Sequence, residues 1–102
     1  MIKRNPYTCL VGLIEGEIVS AVMGGFDGRR GYVHHLAVKP KLQGQGLGRE
    51  MMEELMSRFQ DLKVIKVHLF VEENNKEVKD FYRNIDFKER TDLTDFSKTI
   101  IK

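Results

Sequence analysis

The stretch from Leu36 to Arg49 (Leu-Ala-Val-Lys-Pro-Lys-Leu-Gln-Gly-Gln-Gly-Leu-Gly-Arg) holds residue types that bind anions through main chain. Gly44, Gly46 and Gly48 alternate along it. Glycine lets the backbone approach a ligand closely, in conformations that a Cβ forbids. The apolar run before Pro40 reads as a strand, and the periodic run from Leu47 reads as a helix. A helix that opens from a glycine loop offers unpaired N–H groups, backed by its dipole, to an anion such as pyrophosphate. Arg49, in the first helical turn, is ill placed for a cation unless an anion is near. Gln43, Gly44, Gln45, Gly46, Leu47, Gly48 and Arg49 are therefore expected to bind phosphate. A ligand-free connection would carry the conformational cost of these glycines with nothing to offset it. Two other nucleotide fingerprints do not fit. Gly48 is followed by Arg49-Glu50 where a P-loop ends in Lys-Ser/Thr. Counted from Gly44 as a dinucleotide loop, the third glycine comes one residue early.

Two further residue types have acid–base chemistry in range. His34 sits two residues before Leu36 and, on a regular strand, shares its face. An imidazole titrates near ~6.5, which suits acid–base work at neutral pH. The competing reading is a half-buried histidine on a strand. Tyr82 is a phenol that could donate a proton, but it also continues the apolar stripe Val78, Phe81, Ile85. His35 is expected on the opposite face, and His68 falls on another strand. No ligands stand at zinc-site spacing, so no metal is expected.

These residues need elements to position them. Thr8 to Ile14 and Glu17 to Met23 read as a hairpin around Glu15-Gly16, with Gly24-Gly25 ending the second strand. Tyr32 to Lys39 reads as a third strand, stopped by Pro40. Leu47, Met51, Met52, Leu55, Met56, Phe59 and Leu62 recur at helical spacing. Val64 to Val71 alternates, with Ile65, Val67, Leu69 and Val71 on one face. Asn74-Asn75 offers N-cap side chains, and Glu77 lies at capping-box spacing from Asn74. Phe87 to Leu93 and Phe96 to Ile101 complete the order as one or two final strands. The expected fold is α/β, a single domain over residues 1–102 with a mixed, mostly antiparallel sheet and two helices.

Composition narrows the setting. The chain has 102 residues, 41% of them apolar and 31% charged, which is an ordinary globular balance. Only two prolines occur and no apolar run approaches the ~20 residues of a membrane span, so neither disorder nor membrane insertion is expected. The N-terminus lacks the pattern of a secretory signal. The single cysteine, Cys9, cannot form an internal disulfide and reads as a small buried hydrophobe, so a cytoplasmic location is expected. A net charge of +2 does not imply nucleic acid. Arg30-Gly31-Tyr32 begins like an RNA-recognition motif, but Val33, His34 and His35 break it and the element order is wrong.

Gln43-x-x-Gly46-x-Gly48 after Leu-Ala-Val-x-Pro resembles the Arg/Gln-x-x-Gly-x-Gly/Ala motif of the GNAT superfamily of acetyl-CoA-dependent N-acetyltransferases. Asn75, Tyr82 and Phe87 match that family's Asn-x₆-Tyr-x₃-Gly-Phe pattern, with Asp86 where glycine is usual. The likeness runs from about Thr8 to the C-terminus. It implies the acyl-CoA N-acyltransferase fold and acetyl-CoA as cosubstrate. Leu36, Ala37 and Val38 would lie on a strand that splays from its neighbour and bond the pantetheine arm, with the Leu36 N–H aimed at the acetyl carbonyl. Residues 43–49 would hold the pyrophosphate, and Asn75 would bond the pantetheine, cap the second helix, or both. Tyr82 would protonate the leaving thiolate. His34 resembles a histidine of arylalkylamine acetyltransferases and is the candidate base. Some relatives carry a glutamate five residues before the asparagine. That position is Phe70 here, and Glu72 and Glu73 read as solvated.

The resemblance also implies what is missing. Family members commonly begin with a strand and two helices, ~40–50 residues that cover the acceptor, so an N-terminally truncated fold is expected. The uncovered surface points to a homodimer. The acceptor would be a small-molecule or peptide amine. The alternative is a non-catalytic acyl-CoA-binding module that has lost the acceptor site.

Overall fold

The computed structural model describes residues 2–4 (main chain only), 7–71 and 74–100. The chain divides into two compact units, Met1–Phe70 and Val71–Lys102. In the first, β1 (Ile2–Arg4), β2 (Cys9–Ile14), β3 (Glu17–Phe26), β4 (Arg30–Val38) and β5 (Lys66–Leu69) form one sheet in the spatial order β1-β2-β3-β4-β5. The first four strands pair antiparallel and β5 joins β4 in parallel, so the mixed, mostly antiparallel sheet is present as expected. A parallel neighbour needs a crossover, and α1 (Leu47–Asp61) supplies it. The short β1 was not foreseen, since three residues carry no usable alternation.

The β2–β3 hairpin closes at Glu15 (φ 51°) and Gly16 (φ 79°). Both being left-handed is what a two-residue turn needs to match strand twist. The strand ending expected at Gly24-Gly25 is wrong: β3 runs on to Phe26. These glycines mark close approach rather than a break. A Cβ on Gly24 would stand 2.9 Å from both Leu55 Cδ1 and Phe59 Cζ, and one on Gly31 would stand 2.9 Å from the Phe59 ring. The bare sheet lets α1 settle onto it. Its apolar stripe puts Met51, Met52, Leu55 and Phe59 into the core against Leu10 and Val22, all fully buried. Cys9, at the start of β2, is only partly buried.

The β3–β4 turn is held by Asp27, whose Oδ1 accepts from Arg29 N–H (3.0 Å) and Arg30 N–H (2.7 Å). Those bonds, and a weaker one from the Tyr32 hydroxyl, favour the ionised form and hold the carboxyl below its ordinary value of 3.8. The sign follows from linkage. The contribution is complete above the unfolded value and is lost as pH falls through the lower folded one. Asp27→Ala is therefore expected to lower the urea midpoint at neutral pH, with the difference from wild type shrinking as pH falls through the lowered folded value. Equal midpoints for both proteins throughout would refute this role.

In the second unit, α2 (Lys76–Asn84) starts at Asn75, whose Oδ1 accepts from Val78 N–H at 3.3 Å. The cap is thus Asn75, not Asn74. The helix ends in a Schellman motif: Phe87 N–H donates to Tyr82 O (2.9 Å) and Asp86 N–H to Arg83 O (3.2 Å). Asp86 takes the left-handed conformation this demands, φ 72°. The turn geometry therefore survives the absence of glycine. Asp86→Gly is expected to gain about 1 kcal/mol by removing the Cβ penalty, and Asp86→Ala to lose stability. Thermal melts of the two variants check the order.

The final strands expected over Phe87–Leu93 and Phe96–Ile101 are not formed among the described residues, which exclude Ile101. Phe96 (92% exposed) and Ile100 (89%) bury against nothing, and β-propensity without a packed face does not make a strand. Similarly β5 is shorter than the alternation predicted, and Ile65 is exposed ahead of it. Glu72 and Glu73 lie outside the described residues.

Candidate functional site

The glycine loop leaves β4 through a single 3₁₀ turn at Pro40–Leu42 and enters α1 at Gly46. Gly44 (φ 82°) and Gly46 (φ 83°) are both left-handed, and a Cβ built on either meets no atom within 4 Å. Internal packing therefore does not explain these two glycines; backbone conformation and open space do. No side chain caps α1 at Gly46, and its first intrahelical donor is Glu50 N–H, to Gly46 O at 3.0 Å. The N–H groups of Leu47, Gly48 and Arg49 precede that bond and are the helix's orphan donors. A cradle of this kind fits a pyrophosphate. The Gln43 side chain is turned back into the protein, its Nε2 donating to Val38 O at 3.1 Å and tying the loop to the end of β4. Arg49 is exposed and faces Glu53 one turn along, at 3.7 Å.

Leu36, Ala37 and Val38 lie on the last part of β4. There β4 pairs with β3 through Val22, Ala21 and Ser20, while the β5 ladder ends at Val33–Leu69. One edge of this segment therefore lies outside the β5 ladder.

His34 departs from expectation. The β3–β4 register shifts between Met23 and Gly24: His35 pairs with Met23 and Val33 with Gly24, leaving His34 as the extra residue of a bulge. Leu36 pairs with buried Val22 on the α1 face. His34 instead lies over Gly25, on the opposite face, with its ring stacked on Tyr32 at 6.2 Å. Pairing with Met23 puts His35 on that same face. So His34 and Leu36 do not share a face, and His34 and His35 do. The adjacent glycines Gly24-Gly25 were the available cue, since glycine within a strand marks bulges and close approaches.

In the second unit Tyr82 is half-buried on α2, edge-on to Phe81 (5.1 Å) and Phe87 (5.7 Å). Burial pushes its phenol above the ordinary 10.0, which keeps it protonated across the neutral range. Among the described residues its hydroxyl has no hydrogen-bond partner, whereas its carbonyl is fixed by Phe87 N–H. Asn75 uses Oδ1 on its cap, which leaves its amide NH₂ for another acceptor. Among the described residues no group of three or more metal-ligating side chains occurs, and no helix is long and apolar enough to cross a membrane.

An antiparallel sheet joined by a parallel fifth strand, with a glycine cradle between the fourth strand and the helix start, defines the class. Residues 1–87 match the model of the acetyltransferase (GNAT) family, and the chain belongs to that family. It is 33% identical over 101 residues, 99% of its length, to an acetyltransferase of Pectobacterium atrosepticum. The chain spans 71% of that relative's length and 62% of that of an acetyltransferase of Yersinia enterocolitica. Among solved structures it resembles a GNAT family acetyltransferase from Streptococcus pneumoniae (TM-score 0.78, 28% identity, 92% of this chain and 71% of that one). It also resembles the aminoglycoside N-acetyltransferase AAC(6')-Iy in complex with CoA (TM-score 0.78, 8% identity, 89% of this chain and 75% of that one).

Proposed function

We propose that the chain moves an acetyl group from acetyl-CoA directly to a primary amine. The observation that carries this reading is the continuity of the end of β4 beyond the β5 ladder with the glycine cradle that opens α1. Residues 43–49 hold the pyrophosphate through backbone N–H groups, with Gln43 acting by its grip on Val38 O. Main chain of Leu36–Val38 takes the pantetheine as an added strand would, and Leu36 N–H stabilises the charge that grows on the acetyl oxygen. His34 accepts the proton of the attacking ammonium, Tyr82 gives its own to the departing thiolate, and Asn75 adds a pantetheine contact beside its cap. Binding both reactants in one place supplies much of the remaining rate.

The acceptor is a small-molecule or peptide amine, and aminoglycosides, for which the fold neighbour AAC(6')-Iy is named, serve as first probes. Exposed Met23 and Phe26 on β3, with Ile14 and Ile18 beside the hairpin turn, support a homodimer, checked by light scattering at micromolar concentration. A free Cys9 suits a reducing cytoplasm.

The deciding experiment is a thermal shift with acetyl-CoA followed by thiol release against a panel of amines. A shift with release establishes the transferase. A shift without release from any amine replaces it with an acyl-CoA-binding module. One observation favours that second reading: Phe70, 81% exposed after β5, provides no carboxylate at the position where some relatives place their base. Neither shift nor release refutes both.

A further inference from the structure

The seat of His34 is built by two residues that no reading of the glycine cradle uses. Gly25 lies beneath the imidazole: a Cβ there would overlap His34 Nε2 and stand 3.0 Å from Cδ2. Tyr32 stands beside it, the two rings 6.2 Å apart and 20° from parallel, and Tyr32 in turn stacks on His68 at 5.9 Å. The Tyr32 hydroxyl reaches Asp27 Oδ2 at 3.3 Å, and Asp27 is anchored by the turn it closes. A bulge residue has no cross-strand partner to fix its direction, so other contacts must do so. The titratable and charged groups on this face are Arg30, Tyr32 and His35 on β4, Lys66 and His68 on β5 and Cys9 on β2, with Asp27 bonded to Tyr32. From β3 come only Gly25 and apolar Met23.

We propose that Gly25 and Tyr32 are positioning residues for His34. The glycine leaves the floor bare and the tyrosine ring supplies a wall, so that the imidazole of an otherwise unpaired residue keeps one orientation. This rests on the reading of His34 as the base. An added methyl at position 25 has to lift the ring, and a displacement of about 1 Å at a reacting group costs on the order of 10²-fold in rate.

The test uses the full chain and four variants: Gly25→Ala, Tyr32→Leu, Tyr32→Phe and His34→Gln. The first readout is the NMR shift of His34 Hε1, followed from about pH 5 to 9 so that the whole imidazole titration is covered. It needs no acceptor. It is expected to move in Gly25→Ala and Tyr32→Leu, and to stay in Tyr32→Phe, which keeps the wall. The second is thiol release with acetyl-CoA and the best amine of the panel. Gly25→Ala is expected to lower kcat by about 10–100-fold with KM for acetyl-CoA unchanged, and Tyr32→Phe to retain activity. Should Gly25→Ala fail to fold, Tyr32→Leu carries both readouts. An unmoved Hε1 resonance in the folded variants overturns the proposal. So does an unchanged rate in those variants when His34→Gln abolishes the acid limb of the pH profile. If instead His34→Gln leaves that limb in place, the base assignment fails, and the resonance alone decides whether the seat positions the ring.

Discussion

Truncating Phe59 to alanine is expected to cost about 3–5 kcal/mol, the range for a large aromatic removed from a core. For a domain of this size, with total stability of about 5–15 kcal/mol, that leaves little or no folded protein at 37 °C. The argument is geometric. Phe59 is 1% exposed and its ring rests on Gly24 and Gly31, positions that have no side chain to move into the space it would vacate. The cavity cannot collapse, which places the substitution at the costly end of its class. The reciprocal change is informative too. Gly24→Ala overpacks a 2.9 Å approach from both Leu55 and Phe59 and is expected to lose about 1–3 kcal/mol. Combined with Phe59→Leu, which removes part of the clash, the loss should be smaller than the sum of the two single losses. Urea titrations of the four proteins give the coupling, and strict additivity would show that ring and glycine do not share a contact.

The second large effect concerns the proposed acid. Tyr82→Phe is expected to lower kcat by about 10²–10⁴-fold, the contribution of a positioned proton donor, while leaving the acetyl-CoA thermal shift intact. Phenylalanine keeps the edge contacts to Phe81 and Phe87 and the backbone bond from Phe87 N–H, so the helix end is preserved and only the proton is lost. Burial raises the phenol's titration above 10.0, so the activity it supports should persist through the neutral range and fail only on the alkaline side. Wild-type and variant rates within threefold of one another would remove Tyr82 from the reaction.

What could be read from residues alone was whatever repeats or carries a motif. The α1 stripe, the Glu15-Gly16 hairpin and the strand–loop–helix around Gly46 are all local patterns, and all three are present. What escaped was set by partners distant in sequence. Gly24-Gly25 looked like a strand end because its meaning depends on Phe59 and His34, which no local window contains. Those glycines hint at a bulge but do not place it, because a one-residue slip in pairing belongs to two strands together. The stretch beyond Phe87 has strand composition, but its apolar residues remain exposed. For Asn75, both of the roles open in the sequence were helical or ligand-facing, and the cap is the one the backbone shows.

The register of β4 has one more implication. Ahead of His34, Gly31 and Val33 face α1 from odd positions; after it, Leu36 and Val38 do so from even ones. Deleting His34 alone would join the two halves into an unbroken inside–outside alternation, with every core contact of the strand kept. Packing therefore makes no demand for this residue, and a chain one codon shorter should form the simpler sheet. Whatever retains the extra residue acts on the outer face, where its ring sits, and not through the core.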